Sequence, residues 1–181
     1  MINITFPDGN IKAFESPPSG LEVAQSISEG LARNCVAMEL DDNLVDLNAI
    51  IDRDTKIRLI TSKDPEALEI LRHSSAHVMA QAILRVYPDA KLTIGPAVED
   101  GFYYDIDMAP VSEDDFAKIE AEIKKIIKEK LPIRRREVSK AEALAFYKDE
   151  PYKLEMISDL EDGTISLYEQ GEFTDLCRGP H

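Results

Sequence analysis

The sequence predicts an α+β fold in two domains, residues 1–62 and 63–181, and three observations carry that expectation. Apolar and polar residues alternate in short runs near the N-terminus, the period of a half-buried strand. Longer stretches further on carry apolar residues at helical spacing behind capping residues. Between them lies Thr61-Ser62-Lys63-Asp64-Pro65, a polar break in which Asp64 can cap a new helix and Pro65 suits its first turn.

In the first domain, Ile2, Ile4 and Phe6 alternate with polar residues, Pro7-Asp8-Gly9-Asn10 supplies a turn, and Ile11, Ala13 and Phe14 restart a strand, so a hairpin is expected. After the breaker Ser16-Pro17-Pro18-Ser19-Gly20, residues Leu21, Ala24, Ile27 and Leu31 share one helical stripe that ends at Gly30 or Asn34. Cys35–Leu40 and Lys56–Ile60 are β-rich runs joined by an Asp-rich connection around Asp41, Asp42 and Asp52. Hairpin, helix and further strands in so short a stretch describe a β-grasp unit. It resembles the TGS domain, the ubiquitin-like module found at the front of threonyl-tRNA synthetases and in some GTPases and stringent-response enzymes. That resemblance rests on element order over the first third of the chain.

In the second domain a helix is expected from Pro65 to about Tyr87-Pro88, with Glu66 and Glu69 favourable near its positive end. Leu68, Leu71, Met79, Ala82 and Val86 share one face while Ile70, Ala80 and Leu84 lie roughly opposite, so the helix should be buried or line a cleft. Strands are expected over Lys91–Gly95 and Gly101–Asp107, with a turn at Glu99-Asp100. Ser112 and Asp115 stand at capping-box spacing before Phe116, Ile119, Ile123, Ile126 and Ile127, an amphipathic helix ending before Leu131-Pro132. Ile133–Val138 reads as a strand, Ser139 to Glu142 as the start of a short helix, and Thr164–Tyr168 as a strand leading into the final loop.

Composition bounds the function. Hydrophobic residues at 44% and charged residues at 31% are the balance of a globular chain that can build a core. No apolar run approaches the roughly 20 residues that span a bilayer, and the N-terminus lacks the basic and apolar regions of a signal peptide, so a cytoplasmic location is expected. Two cysteines, Cys35 and Cys177, are too few for a disulfide framework. A formal net charge of −14 argues against a general nucleic-acid coat protein, so any RNA must be met locally. The one dense basic stretch, Lys124, Lys125, Lys128, Lys130 and Arg134 to Arg136, is accounted for by a solvated helix face.

The chain has three histidines, and all fall in two motifs, His73-Ser74-Ser75-Ala76-His77 and Cys177-Arg178-Gly179-Pro180-His181. On a helix, positions four apart lie one turn above each other, so His73 and His77 present two imidazoles to a common point, on the less apolar face where a cleft would be. Two chemistries fit. Imidazoles and a thiolate can bind zinc tetrahedrally, but four protein ligands make a closed, structural site with no position for an activated water. Alternatively the same groups hold a water and a ribose hydroxyl by hydrogen bonds, histidine being the side chain that titrates near neutral pH.

Arg72 to His77, Ile94-Gly95-Pro96, Gly101-Phe102-Tyr103-Tyr104-Asp105, Tyr152-Lys153 and Asp175 to His181 match, in order and approximate spacing, the editing domain of bacterial-type threonyl-tRNA synthetases. With the TGS-like start, the resemblance covers essentially the whole chain. It implies hydrolysis of the ester linking serine to the terminal adenosine of threonine tRNA. His73, His77, Cys177 and His181 would surround the ribose and the attacking water, Lys153 would hold a water or polarise the ester, and Asp175, Tyr104, Gly95 and Arg178 would complete the pocket. Alanyl-tRNA synthetase editing domains are similar and carry the same two motifs with zinc. The threonyl family implies metal-free hydrolysis with no cofactor, and zinc at His73, His77, Cys177 and His181 is the alternative.

Such a site answers an energetic need. A pocket for threonine cannot strongly reject serine, since one methyl is worth only about 1–3 kcal/mol, so a second, tighter pocket is required. The resemblance also implies further editing strands after His181, then a catalytic core that holds ATP, magnesium and a zinc of its own, and an anticodon-binding domain. Implied partners are the acceptor end of tRNA(Thr) carrying serine, the rest of the synthetase chain and a second copy in a homodimer, with no membrane. Two other readings remain at this stage: a non-catalytic RNA- or nucleotide-binding module with a structural zinc clip, and a free-standing editing factor acting in trans.

Overall fold

A computed structural model describes residues 1–181. By packing, the chain falls into two compact units, Met1–Leu71 with Gly179–His181, and Arg72–Arg178. The division lies later than the break at residues 61–65, because Ala67 and Ile70 pack with Ala37 and Ile60 of the first unit.

In the first unit, β1 (Ile2–Thr5) and β2 (Ile11–Phe14) form the expected antiparallel hairpin, with Gly9 at φ 85 in its turn. Helix α1 (Gly20–Ile27) opens with a capping box: the Ser19 hydroxyl accepts from the Glu22 N–H at 3.2 Å, and the Glu22 carboxylate accepts from the Ser19 N–H at 2.7 Å. Gly20 is required there, since an added Cβ would collide with Met38 Sδ and the Leu47 carbonyl. The single helix expected through Leu31 is broken by Ser28. That residue is extended (φ −166, ψ 150), and its hydroxyl takes the Leu31 N–H at 3.0 Å to start α2 (Glu29–Asn34).

Strands β3 (Cys35–Leu40), β4 (Asn43–Asp46) and β5 (Thr55–Thr61) complete a sheet of order β2-β1-β5-β3-β4, in which only β1 and β5 run parallel. Strand β4 was not expected. Part of the Asp-rich connection is a tight turn with Asp41 at φ 48 and Asp42 at φ 66, the left-handed pair of a two-residue hairpin. Ile2, Ile4, Val23, Met38, Ile51 and Ile57 form the core, giving the β-grasp arrangement.

Helix α3 (Pro65–Val86) starts at Pro65 as expected, but the Asp64 carboxylate turns back to the Thr61 N–H and hydroxyl at 2.7 and 2.9 Å. Leu68 and Leu71 are exposed, whereas Ala76, His77, Ala80 and Gln81 are buried. His77 therefore lies on the packed face of α3, not on an open one, with Asp175 Oδ2 3.3 Å from its Nε2.

In the second unit, β6 (Lys91–Leu92), β7 (Ala97–Val98), β8 (Gly101–Phe102) and β9 (Ile106–Asp107) make one irregular antiparallel hairpin, shorter in ladder than the two strands expected. Thr93 N–H to Asp105 O (2.9 Å) and Asp105 N–H to Ile94 O (2.8 Å) bridge its halves. Helix α4 (Glu113–Glu129) starts at Ser112, whose N–H donates to Asp115 at 2.9 Å. Of its apolar stripe Ile126 is buried, while Phe116 and Ile127 remain exposed. Strand β10 (Ile133–Val138), α5 (Lys140–Phe146), α6 (Pro151–Ser158), β11 (Ile165–Gln170) and β12 (Phe173–Leu176) follow, and β10-β11-β12 is an antiparallel sheet. Val138, Ala143, Tyr147, Ile157, Ile165 and Leu167 pack α5 and α6 against it. The molecule is thus α+β throughout, and no helix is long and apolar enough to cross a membrane.

Candidate active site

Two side chains of α3 begin the site. His73 and His77 stand edge to face with ring centroids 5.4 Å apart, as four-residue spacing on a helix dictates. Their stretch of α3 is fastened by Gln81, whose Nε2 donates to the Gln170 carbonyl at 3.2 Å while Gln170 Nε2 returns a bond to Gln81 Oε1 at 2.7 Å. Arg72 adds bonds to the Val98 and Glu99 carbonyls at 3.2 and 2.6 Å. The loop leaving β12 brings Cys177 Sγ to 3.2 Å from His73 Nε2.

Beside this pair lies a buried charged network centred on Asp175, in β12. Its Oδ1 accepts from Lys153 Nζ at 2.6 Å and from the Leu176 N–H at 2.8 Å; its Oδ2 accepts from the Tyr104 hydroxyl at 2.5 Å and lies 3.3 Å from His77 Nε2. Lys153, in α6, also donates to the Thr93 carbonyl at 2.8 Å and meets the Tyr104 oxygen at 3.2 Å, so its three protons all have protein acceptors. Lys153 and Asp175 are each 3% exposed. Phe173 closes one side, its ring centroid 5.6 Å from that of His77.

Burial decides the protonation of this network. His77 is pushed down to about 3, first by desolvation and then by electrostatic interaction with His73 and with the Lys153 ammonium, so it is neutral near pH 7. Its Nε2 faces the Asp175 carboxylate, so a proton on that nitrogen is favoured. The Tyr104 hydroxyl is raised well above its ordinary range by burial and by Asp175, and it stays a donor.

His73, His77, Lys153, Asp175, Tyr104 and Cys177 are therefore brought together as the sequence suggested. Gly95 has a packing role: an added Cβ would collide with the Tyr104 ring, so its bareness lets that ring lie on the backbone and aim its hydroxyl at Asp175. Arg178 stands apart from the network, lining a cavity of about 530 Å³ with Arg135, Thr164, Ser166 and Glu161. His181 groups with the first unit, where its N–H donates to Asp46 Oδ1 at 2.8 Å. Sequence reasoning missed Thr93, Phe173 and the Gln81–Gln170 pair; the only cue was their place beside a motif. Donor atoms of His73, His77 and Cys177 lie within 4.8 Å of one another, a group that could hold a metal ion.

Residues 2–61, the β-grasp module, match the TGS domain family, so the chain is a TGS-bearing protein. Over its whole length the chain is similar to threonine-tRNA ligases. It is 66% identical over 181 residues to that of Desulfatibacillum aliphaticivorans, 54% identical over 187 residues to that of Halalkalibacterium halodurans, and 54% identical over 185 residues to that of Clostridioides difficile. Each match takes in 100% of this chain but only 28% or 29% of the relative, so the chain spans less than a third of their length. The threonyl-tRNA synthetase resemblance seen in the motifs thus extends along all of this sequence.

Proposed function

We propose that this chain carries a proofreading site of a threonine-tRNA ligase, hydrolysing the ester that joins serine to the terminal ribose of tRNA(Thr). The supporting observation is the buried network in which Asp175 accepts from Lys153 and Tyr104 and lies 3.3 Å from a neutral His77, one helical turn from the His73–Cys177 pair. In the reaction water adds to the ester carbonyl, the bond from acyl carbon to ribose oxygen breaks, and that oxygen takes up a proton. An aminoacyl ester is already activated, so holding water and ribose in place supplies much of the gain. In this reading His77 orients such a water, and the His73–Cys177 pair would hold a ribose hydroxyl. Lys153, with its protons all engaged, acts by fixing Asp175 rather than by polarising the ester.

In this reading the partners are threonine tRNA and the remainder of a ligase chain, in keeping with the relatives' name, and a homodimer in the cytoplasm is proposed with them. The sequence motif from Cys177 to His181 belongs to this reading through its spacing alone. A structural zinc clip is the second reading, favoured by the clustering of nitrogen and sulfur donors. Zinc bonds of roughly 2.0–2.1 Å to nitrogen and 2.3 Å to sulfur at a tetrahedral angle hold those atoms about 3.6 Å apart. The 3.2 Å between His73 Nε2 and Cys177 Sγ is a direct contact within about half an ångström of that spacing, so the zinc content of the protein decides between the two readings.

Deacylation of seryl- and threonyl-tRNA(Thr), with and without chelator and with His73→Ala as control, tests the proposal. Loss of serine alone, surviving chelation and absent in the variant, is the expected result. A folded chain that releases no serine and holds stoichiometric zinc would establish the clip instead.

A further inference from the structure

We propose that Ser166 is the positioning residue that sets the Cys177 thiol against His73. Strand β12 ends its ladder at Leu176, opposite Leu167, yet Cys177 stays fastened to β11. Its N–H donates to the Ser166 carbonyl at 3.1 Å, and its own carbonyl accepts from the Ser166 hydroxyl at 2.5 Å. Both polar backbone groups of Cys177 therefore end on one residue. Ser166 is 3% exposed and sits in the central strand of its sheet, paired on the other side with Glu137 of β10, so the anchor is rigid.

Any residue at 166 would offer the carbonyl. Only a hydroxyl adds the second bond, and that bond fixes the peptide plane on the far side of the Cys177 Cα. With both planes held, the Cα–Cβ direction is held too, and Sγ is delivered 3.2 Å from His73 Nε2. Without the hydroxyl the Cys177 carbonyl can rotate toward another donor and carry the thiol off line. A buried serine among Ile165, Leu167 and Tyr168 at the start of β11 has its hydroxyl accounted for by this bond.

The inference rests on the reading of His73 and Cys177 as a working pair, and it is tested without tRNA, so its failure is separable from failure of proofreading. The rate of Cys177 alkylation by iodoacetamide at neutral pH is read peptide by peptide by mass spectrometry, which keeps Cys35 out of the measurement. Thr and Val have nearly the same shape, so Ser166→Thr against Ser166→Val isolates the hydroxyl at constant volume, and circular dichroism confirms that both fold. Ser166→Val should slow alkylation about fivefold, the equivalent of one hydrogen bond, toward the His73→Ala rate, with Ser166→Thr near wild type. Equal rates for the Thr and Val variants would overturn the proposal, as would a wild-type rate in Ser166→Val.

Discussion

Replacing Lys153 by Met asks whether the charged network holds the second unit's site together. The Lys153 side chain is 3% exposed, with Nζ 2.6 Å from Asp175, 2.8 Å from the Thr93 carbonyl and 3.2 Å from the Tyr104 oxygen. Met fills a similar volume, so little cavity opens and the loss is mainly electrostatic. Asp175 is left buried with hydrogen bonds from Tyr104 and Leu176 and with His77 nearby, but with no cation against it. Removing one partner of a buried pair costs about 3–5 kcal/mol, and the bonds Asp175 keeps place the expected loss near the lower end, about 3 kcal/mol in urea unfolding. The double change Lys153→Met with Asp175→Asn should recover at least about half of that, since an uncharged replacement of the whole pair is often close to neutral. A loss below about 1 kcal/mol in the single variant, or strict additivity in the double, would refute the view that this pair organises the site.

Two further outcomes follow from the same geometry. His77 has a folded value near 3 against 6.5 for the free side chain, so below pH 6.5 the unfolded chain takes up a proton that the folded chain refuses. Its contribution is complete above pH 6.5 and is lost toward pH 3, by up to about 1.4 kcal/mol per pH unit. Urea midpoints of His77→Gln should therefore fall less steeply with acid than wild type; parallel curves would show that His77 is not held neutral. Gly95→Ala should cost about 1–3 kcal/mol, the usual penalty of overpacking, because the new methyl collides with the Tyr104 ring. Adding Tyr104→Leu should remove most of that penalty, and an unchanged penalty in the pair would place the clash elsewhere.

What was legible in the sequence was whatever local chemistry determines. The His73 and His77 pair follows from helix spacing alone, and α3 begins at Pro65 as the polar break indicates. The Ser28 break was hidden because a helical stripe continues through it, and only the hydroxyl at the second helix start distinguishes two short helices from one. Strand β4 was hidden because left-handed Asp residues make a turn without glycine. Helix α6, which carries Lys153, announced itself only by Pro151 at its first turn and by Leu154 and Ile157. Burial was the hardest property to read: a lysine in a sequence looks like surface, and the fact that Lys153 is buried depends on Thr93 and Tyr104 from one hairpin meeting Asp175 from a distant strand.

That convergence explains why a charged pair occupies ground where apolar residues would be at least as stable. An apolar pair could fill the space, but it could not select the protonation of His77. Asp175 beside Nε2 favours a proton on that nitrogen, and alone it would also draw the ring toward the charged form. Lys153, against the same carboxylate, offsets that pull, and its charge joins burial in keeping the ring neutral. The result is an imidazole held neutral over the whole neutral range. On this argument the stability given up at Lys153 and Asp175 favours one tautomer, and a variant that keeps the pair's shape but not its charges should fold well while losing that preference.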